Sequence, residues 1–239
     1  LMVTWLNVDE AAAFLRMGRT RLYALTREGR IPASRTGKRW TYEKDTLAAW
    51  LKGGRGMEDF FVDTPFEIEG NTNLRDPQRD AYAAVAEFFR GGETTAIVQL
   101  PVGCGKSGLA AILPFGIARG RVLVIAPNLT IKDELLKSLD ITNKQKCFWR
   151  RMLVLQDVDM AHGPYVTTLE DGNISVCEKS HIVLTNIQQL STNTDKWLNR
   201  FADDFFDLII VDEAHHGAAA SWKKVFKKFP GAKVVNMTA

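Results

Sequence analysis

Residues 94–113 read TTAIVQLPVGCGKSGLAAIL, and residues 207–216 read DLIIVDEAHH. In the first stretch a short apolar strand, Thr94–Leu100, runs into a glycine-containing loop and then an apolar helix from Gly108 to Leu113. Strand, glycine loop and helix are the context a phosphate-binding loop requires. Gly103 and Gly105 let backbone N–H groups turn toward phosphates without a Cβ in the way. Cys104 between them reads as a small spacer. Lys106 is placed to reach the β- and γ-phosphates, and Ser107 to hold Mg²⁺ through its hydroxyl. The general pattern G-x-x-x-x-G-K-[ST] expects Gly where this chain has Leu100. The second stretch is a buried-strand pattern ending in Asp212-Glu213. An acidic pair at the carboxyl end of a parallel strand lies where α/β sheets bind ligands. Asp212 would hold the metal through water, and Glu213 would polarise an attacking water.

The run Asp212-Glu-Ala-His-His216 resembles the DEAH form of motif II in superfamily 2 helicases and translocases. Further pieces fall in that family's order. Leu74-Arg-Asp-Pro-Gln-Arg-Asp80 resembles the Q-type motif, Leu123–Thr130 motif Ia, Val183–Gln189 motif Ib, and Val234–Ala239 the start of motif III. Val102 stands where many members have Thr. The wording is most similar to the type III restriction-enzyme branch, over residues 74–239. The resemblance implies an α/β fold: a RecA-like P-loop domain with a mostly parallel sheet, using ATP and Mg²⁺. It implies adenine reading by Gln78, phosphate contacts to one nucleic-acid strand by Thr130 and Thr185, and coupling of the nucleotide to motif III by His215. His216 reads as structural. It also implies a second RecA-like domain that these residues do not contain. Residues 1–239 are therefore expected to be a fragment that hydrolyses ATP slowly by itself. The predicted strands are Thr94–Leu100, Arg121–Ala126, His181–Leu184, Leu208–Asp212 and Lys233–Met237, with a helix over Thr130–Leu139.

Charge divides the chain. Residues 1–56 carry 11 Lys and Arg against 5 Asp and Glu, while the remainder carries 20 against 23. A basic head on a mildly acidic body points to an anionic partner for the head. Asn7 can cap a helix from Val8, with Asp9 and Glu10 in its first turn. A second helix follows from Arg19 to Glu28, with Leu22 and Leu25 facing inward. A hairpin pairs Ile31–Arg35 with Arg39–Tyr42, and a last helix carries Leu47, Trp50 and Leu51. This order resembles the excisionase-type, MerR-like winged helix-turn-helix over residues 4–51. The resemblance implies duplex-DNA reading by Arg19, Arg21 and Arg27 on the second helix and by Arg35, Lys38 and Arg39 on the wing. Domain 1–52 is followed by an expected linker over 53–73, which holds Asp63-Thr-Pro and Gly70-Asn-Thr-Asn turn signals.

Hydrophobic residues make up 46% and charged residues 25%, which excludes collagen, coiled coil and general disorder. The longest mostly apolar stretch, Gly108–Ala118, is broken by Pro114 and falls short of a membrane span. Three cysteines at 104, 147 and 177 match neither a disulfide framework nor a zinc site, so a reducing cytoplasm is expected. Tyr82, Val85 and Phe89 keep helical spacing and read as core. Phe148-Trp-Arg-Arg151 has two readings, a base-stacking pair of aromatic and cation or plain packing. The chain as a whole reads as the N-terminal part of an ATP-dependent DNA helicase or translocase. The alternative is a DNA-binding regulator that ATP only switches.

Overall fold

A computed structural model gives the fold and describes residues 4–15, 17–27, 31–36, 39–53, 59–170, 173–186, 188–189, 198–213 and 219–239. The chain falls into two units, Leu1–Gly56 and Met57–Ala239. Each has its own core.

In the first unit Asn7 caps the helix Val8–Phe14 as its sequence predicts: its side chain accepts from the Asp9 and Glu10 N–H groups, and Glu10 accepts from the Asn7 N–H. The second helix is Arg19–Arg27, and the last is Lys44–Gly53. Three short antiparallel strands, β1 (Trp5–Leu6), β2 (Ser34–Thr36) and β3 (Arg39–Glu43), pair in the order β1-β3-β2. Ala11, Leu15, Leu22, Ile31, Tyr42 and Leu47 close the core between them. Thr26 is buried there, donating to the Leu22 carbonyl and meeting the Tyr42 hydroxyl at 2.9 Å. The side chains of Leu25, Trp50 and Leu51 lie outside the described residues.

The second unit is a six-stranded, all-parallel sheet. Its strands are β4 (Thr95–Gln99), β5 (Arg121–Ala126), β6 (Val166–Thr168), β7 (Ile182–Asn186), β8 (Phe206–Val211) and β9 (Lys233–Thr238), in the order β4-β9-β8-β5-β7-β6. Side chains alternate between two apolar layers, the pattern of a sheet covered on both faces. Val122, Val124, Leu208, Ile210 and Val235 enter one layer. Leu123, Ile125, Ile209, Val211 and Val234 enter the other. The five expected strands are present. β6, at one edge, was not foreseen. The helix Asp76–Arg90 buries Tyr82, Val85 and Phe89 on the first layer, as their spacing predicts. Burial pushes the Tyr82 hydroxyl up to about 12, and it donates to the Phe115 carbonyl at 2.7 Å.

The expected linker over 53–73 is shorter than its composition suggests. Phe60, Phe61, Ile68 and Leu74 are buried in the core of the second unit. The Asn71 amide donates to the Glu67 and Met152 carbonyls and accepts from Asn73, and Arg79 donates to the Asn71 and Leu74 carbonyls. The turn signals are genuine, but the turns fold onto the body instead of spanning a gap.

His181, 2% exposed, sits at the start of β7 with Phe60 4.2 Å from its ring and the Tyr165 N–H donating to Nδ1 at 3.0 Å. Burial, helped by the Arg121 charge, lowers its pKa from 6.5 to about 4. The folded protein therefore holds this imidazole neutral, whereas the unfolded chain protonates it below 6.5. Its contribution is fully present above that pH and is lost as pH falls through about 4, a change of about 3 kcal/mol. Urea unfolding at pH 7 and at pH 4.5 should show this loss in the wild type, and His181→Gln should show a smaller loss. An equal acid response in both would remove His181 as the cause.

Candidate nucleotide site

Parallel strands deliver their carboxyl ends to one edge of the sheet, and the motif residues gather there. β4 ends at the loop Leu100–Gly105. Gly103 and Gly105 take φ of +87° and +88°, a region that side-chain-bearing residues rarely adopt. Gly105 opens the helix Lys106–Ile112. A Cβ on Gly105 would lie 2.4 Å from Gln78 Nε2 and would push that amide aside, while the positive φ is what calls for glycine there.

Two side chains from the preceding helix hold the loop. Arg75 donates to the Gly103 carbonyl. Gln78 Nε2 donates to the Gly105 carbonyl at 2.8 Å, and Gln78 Oε1 accepts from the Arg75 N–H at 3.1 Å. Gln78, 5% exposed, thus braces the loop from a position that also lines the cavity beside it. Sequence reading missed Arg75. The signal was its position three residues before Gln78, at the cap of the same helix.

β8 brings the acidic pair to the same edge. The Asp212 N–H donates to the Ile125 carbonyl at 2.9 Å. Asp212 is 5% exposed, and burial, then the neighbouring Glu213 charge, hold its carboxyl above the usual carboxylate range against the opposing effect of Lys106. Its Oδ1 is buried and receives no hydrogen bond from any described residue. A buried carboxylate oxygen is costly unless a cation or ordered water completes it. Ser107 stands exposed one residue beyond Lys106. These donors fit a hard, oxygen-seeking cation such as Mg²⁺. Glu213 takes φ of +57°, a left-handed conformation that costs a non-glycine residue about 1–2 kcal/mol. That turn sets its carboxylate against the Lys106 ammonium, and the two form an ion pair. Loop and acidic strand end, 107 positions apart, therefore meet directly. Cys104, partly buried, packs against the first apolar layer as a spacer would.

Thr130 and Thr185 separate. Asn128 caps the helix Leu129–Ser138 by accepting from the Ile131 N–H at 2.9 Å, which leaves Thr130 exposed and without capping duty. Thr185 is fully buried, its hydroxyl 3.4 Å from Gln189 Oε1, while Asn186 donates to the same oxygen at 3.1 Å. Thr185 thus holds its hydroxyl against Gln189 in the interior, whereas the expected contact to a nucleic-acid strand needs it exposed. His215 and His216 lie outside the described residues.

A cavity of about 300 Å³ adjoins the loop. Gly105, Ser107 and Gly108 line it, as do Phe148 and Arg151. Trp149 and Arg150 turn elsewhere: the buried indole donates to the Ala111 carbonyl at 2.8 Å, and Arg150 pairs with Asp157 at 2.5 Å. Among the described residues no group of three or more His, Cys, Asp and Glu could hold a metal by itself, and no helix is long and apolar enough to cross a membrane.

On the first unit, Arg27, Arg35 and Arg39 are exposed. Arg35 lies 5.5 Å over the Trp40 ring. Arg19 is exposed and pairs with Asp9 at 3.1 Å, and Arg21 is half-buried. Lys38 lies outside the described residues.

Comparison with known proteins places these features. Residues 5–55 match a helix-turn-helix domain family. The type I restriction enzyme EcoAI endonuclease subunit of Escherichia coli is 29% identical over 80 residues, 32% of this chain and 10% of that protein. The chain thus spans a tenth of the length of this curated relative. Solved structures to which the chain is similar include the UvsW helicase of bacteriophage T4 (14% identity, TM-score 0.46, 82% of this chain and 59% of that one). Others are a hypothetical ATP-dependent RNA helicase from Sulfolobus tokodaii (15%, TM-score 0.49, 72% and 47%) and the Hef helicase domain of Pyrococcus furiosus (21%, TM-score 0.47, 69% and 33%). Residues 71–239, which include the whole parallel sheet with its glycine loop and acidic pair, match the family described as type III restriction enzyme, res subunit, and the chain belongs to that family.

Proposed function

We propose that this chain is the ATP-binding part of a DNA helicase or translocase, brought to duplex DNA by its N-terminal unit. The observation that carries the reading is the meeting of Lys106 and Glu213 at the carboxyl edge of the sheet, beside a buried Asp212 oxygen with no hydrogen bond from the described residues. Lys106 would leave Glu213 for the β- and γ-phosphates when ATP enters. The freed Glu213 carboxylate would then accept a proton from the water that attacks the γ-phosphate. Ser107 and Asp212 would hold Mg²⁺, whose charge would neutralise the phosphates. Arg75 and Gln78 keep the loop open for the triphosphate. His215, next to this site in sequence, would relay the γ-phosphate to motif III. Thr130 would contact a phosphate of one nucleic-acid strand. The three cysteines are free thiols, which suits a reducing compartment such as the cytoplasm.

The test is ATP hydrolysis with and without duplex DNA. Stimulation by DNA is the result expected of a motor. ATP binding with a rate that DNA leaves unchanged would favour the regulator that ATP only switches. The intact Lys106, Ser107, Asp212 and Glu213 speak against a scaffold with a dead site.

A further inference from the structure

The short helix Phe148–Arg151 lies in a stretch that no motif explains. Two of its residues are tied into the protein, Trp149 to Ala111 and Arg150 to Asp157. The other two, three positions apart and so on one side of a helix, both line the cavity that reaches Ser107 and Gly108. Phe148 is half-buried. Arg151 is exposed, with no side-chain hydrogen bond or ion pair to any described residue. The Phe148 ring presses on the loop's own helix: a Cβ on Gly108 would come within 3.0 Å of two of its ring carbons. Aromatic ring, guanidinium and the apolar Met152 thus stand directly beside the phosphate loop, in a space of about 300 Å³. That is the small end of the range for ligand pockets.

In a nucleoside triphosphate the base hangs from the α-phosphate by a single ribose. With phosphates on the loop, the base must fall within one sugar's reach of Ser107 and Gly108. We infer that Phe148 and Arg151 form the base-side wall of the nucleotide site, the ring packing on a purine and the guanidinium covering the base and ribose. The inference rests on the nucleotide reading of the loop. It gives a role to residues that the sequence left between packing and stacking. The chemistry is general: every purine offers a flat π-face to a ring or a guanidinium, and Arg stacks on such faces readily.

Calorimetric titration of the 239-residue chain with Mg·ATP and, separately, with Mg²⁺ and inorganic tripolyphosphate separates base from phosphate binding. Phe148→Leu keeps apolar volume where the ring meets the core, and Arg151→Ala changes an exposed residue, so both should fold. Each is expected to weaken ATP at least about fivefold, the lower end for losing a stacked base partner, with tripolyphosphate affinity unchanged. ATP affinity equal to wild type in both variants overturns the inference and leaves the phosphate loop standing. Equal weakening of ATP and tripolyphosphate also overturns it, because the residues would then act on the loop in general. If wild type binds neither, the nucleotide reading itself fails and this inference with it.

Discussion

Lys106→Ala is expected to weaken ATP binding by roughly 30- to 150-fold, while Glu213→Gln keeps it and loses turnover. The binding figure follows from a hydrogen bond to a charged group, worth about 2–3 kcal/mol, converted at 1.4 kcal/mol per decade. The two residues are an ion pair in this structure, with side chains only 12% and 20% exposed. ATP must therefore compete with Glu213 for the lysine. Removing the carboxylate's charge removes that competitor, so Glu213→Gln should bind ATP as tightly as wild type or more tightly. The same change removes the proton acceptor for water, a role worth about 10²–10⁴ in rate. Nucleotide titration and single-turnover hydrolysis, measured side by side in the full-length protein, check both halves. ATP affinity unchanged in Lys106→Ala would contradict the phosphate-loop assignment. Turnover unchanged in Glu213→Gln would move the base elsewhere.

The pairing of Lys106 with Glu213 shows what a sequence can and cannot carry here. Strand positions were legible because two-sided burial writes continuous apolar runs such as Leu208–Val211, and because loop and acidic motifs mark their carboxyl ends. β6 was not, since Val166–Thr168 is three residues long and is recognisable only by its pairing with β7. Turn residues at 63–64 and 70–73 were read as linker, because turn chemistry is the same whether a turn spans solvent or packs on a core. Phe60 and Ile68 decide that, and their burial is a tertiary fact. Thr185 shows the same limit from the other side. A strand end fixes where a hydroxyl sits along the chain, but its burial against Gln189, itself bonded to the Leu169 carbonyl, is a tertiary fact. Phe148–Arg151 holds two aromatic and two basic residues. Only the contacts of Trp149 and Arg150 sort them from the pair that lines the cavity.

Binding of duplex DNA by the N-terminal unit is expected to fall about a hundredfold between roughly 50 and 200 mM salt. Four exposed arginines, Arg19, Arg27, Arg35 and Arg39, are available on the second helix and the wing. Each phosphate neutralised releases condensed counterion, giving a slope of about −0.9 per contact in log K against log salt. Four contacts give a slope near −3.6, hence the hundredfold loss. The arginines are not equivalent. Arg19 already faces Asp9 at 3.1 Å, so its charge is partly compensated before DNA arrives. Arg27→Ala and Arg39→Ala should each reduce the slope by about one, and Arg19→Ala should reduce it less. Asp9→Asn should tighten binding, because it releases Arg19 and removes a like charge facing the phosphates. Residues 1–56 close around a core of their own and suit this measurement, with the same substitutions in the full chain as the check. Binding that ignores salt, or a slope that these substitutions leave unchanged, would take DNA reading away from this unit. The basic charge of residues 1–56 would then be a solvated face.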